Sequence, residues 1–327
     1  WNQQFVVSKG KESYIRTTND SNQIVVLSEA QSYGMLITVE TAKKGQAHQE
    51  DFDRLYQYYL KHRLGDTQLM SWKQTISDGK VAAEDHNATD GDLYIAYSLL
   101  EASHQWPKQA KKYQAQAKAI LGDILKYNYN EETGVLTVGN WANGDSDFYH
   151  LMRTSDTLPA QFQVFYEVTQ DPKWLDIKEK MLKQLDTISS QSNTGLLPDF
   201  IWVEEQGTRV ADPNTIESKY DGSYSYNACR LPYNLVQSKD PVSQKMVKKM
   251  LGFFNDQRNL YAGYDLKGKA LNNHQAASFL APIIFASERE KSYLKLVQQN
   301  KYIFTQDLPL NNYYDATMTT MIALELF

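Results

Sequence analysis

The sequence predicts an all-α protein in which an inner ring of helices is wrapped by an outer ring, and three observations carry that reading. Apolar residues recur at helical spacing in nearly every segment from about residue 28 onward. The helical segments are of two kinds, some plainly amphipathic and some apolar nearly all round, and a helix apolar all round belongs in the interior. No Pro-, Gly- or Ser-rich linker interrupts the series, so residues 1–327 read as one domain.

In chain order, helical patterns fall at about 28–44, 48–64, 91–103, 108–126, 156–169, 172–188, 225–237, 241–256, 274–286, 289–301 and 312–326. The first, SEAQSYGMLITVETA, is rich in small residues and apolar around most of its circumference, as an inner helix should be. In QEDFDRLYQYYLKHRL the residues Phe52, Leu55, Tyr56, Tyr59 and Leu60 form one stripe at i, i+3, i+4, i+7 and i+8. DGDLYIAYSLLEAS returns to the inner type. DPKWLDIKEKMLKQL opens on an Asp-Pro start signal and aligns Trp174, Ile177, Met181, Leu182 and Leu185. Strand-like alternation is short, as in GVLTVGN and LPDFIWV. Eleven helices are one short of six pairs, which predicts a truncated first helix with WNQQFVV as its remnant.

Composition removes several function classes. Hydrophobic residues make up 42% and charged residues 22%, an ordinary globular balance. The net charge is −5 and the basic residues are scattered, so nothing marks a nucleic-acid surface. No apolar run approaches the roughly 20 residues of a membrane span. One cysteine, Cys229, allows neither an intrachain disulfide nor a thiolate metal cluster. The six histidines show no ligand spacing, so neither a metal nor another cofactor is expected. Tyrosine, at 22 residues, outnumbers the 12 phenylalanines and six tryptophans, and its flat face with a hydroxyl suits stacking on sugars. Taken singly, most of these tyrosines are better read as core. The chain opens at Trp1 rather than Met, which leads us to expect a removed signal peptide or N-terminal anchor.

Three polar islands stand at the starts of inner-type helices. Ser28 and Glu29 lie in VVLSEAQSYGM; Glu84, Asp85, Asp90 and Asp92 lie in EDHNATDGDLYIAYSLLEASHQW; the third is IESKYDGSYSYNACRLPY. If the inner helices point one way, the islands converge at one mouth. Burial, neighbouring carboxylates and helix N-termini there push carboxyl pKa values in opposite directions. Separated carboxyl pKa values are what an acid/base pair needs. Each island also has a plain structural reading. Glu29 could be a first-turn acid favoured by the helix dipole, Asp90 and Asp92 a cap and a first-turn acid, and Arg230 a buried ion-pair partner. Residue physics alone reaches a sugar-cleaving helical barrel as one possibility and goes no further.

The motifs themselves carry a resemblance. ATDGDLYIAYSLLEASHQW resembles the signature of glycoside hydrolase family 8 throughout. SEAQSYGML is similar to the family's Ser-Glu-Gly-x-x-Tyr-Gly-Met segment, with Ala30 in place of the glycine. RTSDTLPAQFQVFYEVTQDPKW and YNACRLPYNL resemble two further segments in the family's order. The resemblance implies an (α/α)6 barrel and an endo-acting, inverting hydrolase of β-1,4-linked polysaccharide: chitosan, β-glucan or cellulose, or a bacterial exopolysaccharide. It implies Glu29 as general acid and Asp90 as the carboxylate that contacts and distorts the sugar at the cleavage point, with Asp92 supporting the turn and Glu84 and Asp85 at the rim. The family's usual base is the Asp of a Tyr-Asp-Ala-x-Arg segment, and here that residue is Asn227. An amide cannot take the proton, so Asn227 is left to orient the water. A branch that includes chitosanases draws its base from a glutamate in the preceding loop, which Glu217 matches best, with Asp221 the runner-up. Glu204 and Glu205, further upstream, read as solvent-exposed. Trp72 matches a sugar-stacking position, Tyr33 shares a helix face with Glu29, Arg230 resembles an arginine near the water site, and Ser155 and Asp156 are further contacts.

The partner is therefore a polysaccharide and the protein an exported bacterial monomer, extracellular or at the cell surface. An acidic cleft would favour a cationic sugar such as glucosamine. A catalytically silent glycan-binding protein on the same fold is the alternative, and the presence of Glu29, Asp90 and Arg230 argues against it. A helical-barrel lyase ranks last, because no basic cluster is present to neutralise a uronate.

Overall fold

The computed structural model describes residues 1–20 and 22–327. From the N-terminus the elements are α1 (Asn2–Phe5), β1 (Val6–Lys9), β2 (Glu12–Ile15), β3 (Gln23–Leu27), α2 (Ser28–Lys43), α3 (Gln49–Lys61), β4 (Lys73–Ser77), β5 (Lys80–Ala83), α4 (Thr89–Gln105) and α5 (Ala110–Tyr127). There follow β6 (Leu151–Arg153), α6 (Pro159–Thr169), α7 (Lys173–Ser190), β7 (Phe200–Glu204), β8 (Gly207–Val210), α8 (Leu231–Val236), α9 (Pro241–Asn255), α10 (Ala277–Glu290), α11 (Leu294–Asn300) and α12 (Tyr313–Leu326). The residues group into two compact units. Among the described residues no helix is long and apolar enough to cross a membrane.

The first unit holds Trp1–Tyr129, Val138–Ser146 and Pro309–Phe327. Its centre is the pair α2 and α4, with α3 and α12 against α2 and α5 against α4. The inner character of α2 is as expected, since nearly every side chain from Ala30 to Val39 is buried. Its one long polar residue there, Gln31, is fully satisfied: Nε2 donates to the carbonyls of Ser13 and Leu55, and Oε1 accepts from the Ile15 amide. A buried amide so paired ties α2 to β2 and α3 without a desolvation penalty. The α3 stripe buries Phe52, Leu55, Tyr56 and Tyr59 as its spacing requires. Strand β3 pairs antiparallel with β4, Leu27 opposite Lys73, and runs directly into α2. The Ser28 amide then donates to the Trp72 carbonyl at 2.9 Å, which anchors the start of α2.

The starts of α2 and α4 lie against each other because residue 91 is glycine. A Cβ there would run into the Ser28 side chain and come within 2.9 Å of its backbone carbonyl carbon. Glu29 and Asp90 stand on these two first turns. The turn before α4 is organised by Asp92, which is wholly buried. Its Oδ1 accepts from the Met70 amide and its Oδ2 from the Asn87 side-chain amide, each at 2.8 Å. Burial outweighs these two bonds and pushes the Asp92 carboxyl up to about 8.

The second unit holds Asn130–Thr137 and Asp147–Leu308. Helix α7 packs on α6 and α9, α8 lies between α9 and α10, and α11 packs on α10. Trp174, Ile177, Met181, Leu182 and Leu185 are all buried along α7, on the stripe read from the sequence. The three-stranded antiparallel sheet β6-β7-β8 sets Arg153, the last residue of β6, opposite Phe200. LPDFIWV does contribute β7, whereas GVLTVGN is no strand: Val135 to Val138 are buried without alternation, so a period-two pattern there had no half-exposed face to report. The helix expected over 225–237 is a turn, then a 3-10 turn at Ala228–Arg230, then α8, with Pro232 in its first turn.

Two outcomes follow for this framework. Replacing Gly91 with Ala should destabilise the protein by about 1–3 kcal/mol through overpacking against Ser28, with a fall in activity because Glu29 and Asp90 are displaced; an unchanged melting temperature and rate would show that the two helix starts can part freely. For Asp92, the folded chain keeps the proton up to about pH 8, while the unfolded chain releases it near pH 3.9. Its stability contribution is thus fully present below about pH 3.9 and is lost as pH rises through about 8. The pH dependence of chemical unfolding should be shallower between those limits in Asp92→Asn than in the parent, and parallel slopes would contradict the assignment.

Candidate active site

Each acid expected to do chemistry sits in a distinct physical setting. Glu29, in the first turn of α2, is half-buried, and Asp90, in the first turn of α4, is 95% buried with Oδ1 accepting from the following Gly91 amide at 2.9 Å. The first amide of each helix is taken up from outside it, Ser28 by the Trp72 carbonyl and Thr89 by the Val138 carbonyl at 3.2 Å. The N-cap positions are Leu27 and Ala88, so Glu29 and Asp90 are first-turn residues rather than N-caps. Asp92 is a structural acid, bound to Met70 and Asn87 as described above, and Glu84 and Asp85 are fully on the surface. Asn87 extends that network: its Oδ1 accepts from the Asn140 amide at 2.7 Å and from Asn128 Nδ2 at 3.2 Å.

Two aromatic positions expected to meet sugar differ. Trp72 is half-buried, its indole stacked on His86 at 5.9 Å, with Trp141 edge-on to His86 at 6.3 Å. This row of rings lies beside the start of α2, through the Trp72–Ser28 backbone bond. Tyr33 is a correction: it has no exposed surface, and its ring meets Tyr94 edge-on at 5.0 Å. Spacing from Glu29 placed it on the right face of α2, but that face is covered by α4 one turn further along.

In the second unit the two candidate bases separate clearly. Asp221 is completely buried, and its carboxylate is committed to three backbone amides: Ile216 at 2.7 Å, Glu217 at 3.1 Å and Ser218 at 2.8 Å. It shapes the loop. Glu217 sits on that loop with its side chain 45% exposed. Its Oε1 accepts from Arg153 Nη2 at 3.1 Å and its Oε2 from Asn227 Nδ2 at 2.8 Å. A carboxylate offers about four lone-pair positions, so two remain open for a water. Asn227 in turn accepts through Oδ1 from Arg230 Nη2 at 2.8 Å, and the same guanidinium nitrogen donates to Ser155 Oγ at 2.8 Å.

Arg230, expected near the water site, donates to Asn227, and the guanidinium on Glu217 is that of Arg153. Asp156 is also a correction, for it is buried with Oδ2 3.6 Å from Arg153 Nη1 and faces that guanidinium rather than open surface. Arg153 opens the RTSDTLP segment, so its position was visible while its partner was not. The other residue missed is Asp199 of LPDF, which lies 97% buried. Its Oδ1 accepts the amides of Ser225, Asn227 and Ala228 at 3.1, 3.1 and 2.7 Å. Burial pushes the Asp199 carboxyl up to about 7 against the pull of those amides.

The family described as glycosyl hydrolases family 8 matches residues 1–325. The chain is 32% identical over 292 residues to a β-glucanase of Niallia circulans, covering 83% of this chain and 71% of that one. It is 30% identical over 275 residues to an endoglucanase of Bacillus sp. KSM-330, covering 79% of this chain and 58% of that one. Among solved structures, the apo β-1,3-1,4-glucanase of Paenibacillus sp. X4 superposes with a TM-score of 0.87 at 27% identity, over 99% of this chain and 88% of that one. The all-α, (α/α)6 barrel class expected from the sequence is the fold of these relatives. With a family match that runs through both compact units, the chain belongs to glycosyl hydrolase family 8.

Proposed function

We propose that the two units together form one catalytic domain, an inverting, endo-acting hydrolase of β-1,4-linked glucan, mixed-linkage glucan included. The observation that carries the reading is Glu217: a solvent-accessible carboxylate with both oxygens steadied and lone pairs to spare, on a loop whose other acid is wholly occupied. The relatives named as β-glucanase and endoglucanase support β-glucan as the polymer over chitosan or an exopolysaccharide. A polymeric substrate implies action outside the cell.

Inversion needs an acid at the leaving oxygen and a base on a water at the opposite face of the ring. Glu29 is the acid: its proton passes to the glycosidic oxygen as the bond to the anomeric carbon breaks. Glu217 is the base: it takes a proton from the attacking water as the new carbon–oxygen bond forms. The products are a free chain end and a sugar of inverted configuration, with Glu29 ionised and Glu217 protonated; solvent exchange returns both. Asp90 contacts the sugar at the cleavage point and favours its distorted ring, and Trp72 stacks on a neighbouring sugar. Asn227 makes no proton transfer and holds the carboxylate of Glu217.

Reducing-end release from carboxymethyl-cellulose, mixed-linkage β-glucan, chitosan, xylan and a bacterial exopolysaccharide tests the reading. The parent should act on the β-glucans, and Glu29→Gln and Glu217→Gln should each lose at least about 100-fold in kcat while still binding the polymer. Near-normal turnover in either variant removes that residue from its role. Binding without turnover by the parent on every polymer would favour the glycan-binding alternative.

A further inference from the structure

We infer that Asp199 is the positioning residue of the base side of the site, holding Asn227, and through it Glu217, in working geometry. The inference rests on Glu217 as the base and adds a residue that does not touch substrate. Asp199 sits on a stretch that meets both halves of the base assembly. Its backbone carbonyl accepts from the Thr154 amide at 3.0 Å, fixing the turn that carries Ser155 and follows Arg153. Its backbone amide donates to the Ser223 carbonyl at 2.9 Å, and its Oδ1 gathers the amides of Ser225, Asn227 and Ala228.

Those three amides lie just ahead of or within the 3-10 turn Ala228–Arg230, where a chain entering a helix has N–H groups without intrahelical partners. Asp199 supplies an acceptor from outside the segment. Asn227 therefore has its backbone held by Asp199 and its side-chain oxygen by Arg230, which leaves its Nδ2 aimed at Glu217. Arg230 is steadied by Ser155, next to Thr154, so the turn bound by the Asp199 backbone also sets the far end of the network. Arg153, opposite Phe200 in the β6–β7 ladder, borders Asp199 in register and brings the second donor to Glu217. A single residue thus ties together the elements on which both donors to Glu217 are mounted, its carboxyl holding the Asn227 segment and its backbone carbonyl the turn after Arg153.

A misplacement of about 1 Å in such a group is enough to lower a rate about 100-fold without weakening substrate binding. In Asp199→Ala, kcat on β-glucan should fall about 100-fold with KM within about twofold of the parent. Asp199→Asn keeps an Oδ1 acceptor for the same three amides and should restore kcat to within a fewfold. The double variant Asp199→Ala with Asn227→Ala should be no slower than the slower single variant, because both changes act on one assembly. If the alanine variant does not fold, Asp199→Ser is read in the same way. A merely structural Asp199 would lower the melting temperature and leave kcat in place, and that result, or losses that multiply with Asn227→Ala, overturns the inference. Activity of Glu217→Gln reports on the base assignment alone, whereas the coupling between positions 199 and 227 reports on this one.

Discussion

A guanidinium has no acceptor, and that constraint determines how Asn227 faces Glu217. Arg230 donates to the side chain of Asn227, so the oxygen of that amide must face Arg230 and its nitrogen must face away. The nitrogen then meets Glu217 as a donor at 2.8 Å. An aspartate at position 227 would bring a second carboxylate against Glu217, and two carboxylates that close cannot both stay ionised. Asparagine at 227 and an ionised glutamate at 217 are thus two halves of one hydrogen-bonded arrangement. On the proposed assignment of Glu217 as base, Asn227 is the donor to its carboxylate rather than a lost base.

The acids of this protein divide by where their oxygens are spent. Asp92, Asp199 and Asp221 are buried, and each accepts two or three N–H groups, mostly from backbone. They organise turns ahead of α4 and α8 and the loop under Glu217, and they hold no open lone pair toward solvent. Glu29 and Glu217 are partly exposed and stand on ground that the buried acids shape. For Asp92 and Asp199 burial wins over hydrogen bonding, and both carboxyls are raised, to about 8 and about 7. Their contribution to stability is lost as pH rises through those values.

How much of this was legible in the sequence depended on the length of the signal. The stripe of α3 runs through about two turns and that of α7 through about three, so Phe52 to Tyr59 and Trp174 to Leu185 were readable from spacing alone. The hairpin β1–β2 and strands β3 to β5 are four or five residues each, too short for periodicity to separate from loop. Tyr33 shows the limit of face arguments, since a helix buried on all sides has no cleft face to infer. Motif resemblance pointed to Glu29, Asp90 and Glu217 as candidates, and the resembling segments include Arg153 and Asn227. It could not reveal Asp199, whose partners lie about 26 to 29 residues away and are all backbone amides, which carry no residue identity.

The central claim is that Glu217 activates the water. Azide is a nucleophile that needs no base, so it can stand in for the water when the base is removed, while Glu29 still protonates the leaving group. Turnover of a β-glucan oligosaccharide by Glu217→Ala, with and without sodium azide, measures this directly. The account predicts a rate lowered by about 100-fold or more that rises with azide and yields a glycosyl azide of inverted configuration. Parent-like hydrolysis by the variant, or a slow variant that azide neither accelerates nor converts to a glycosyl azide, would contradict it.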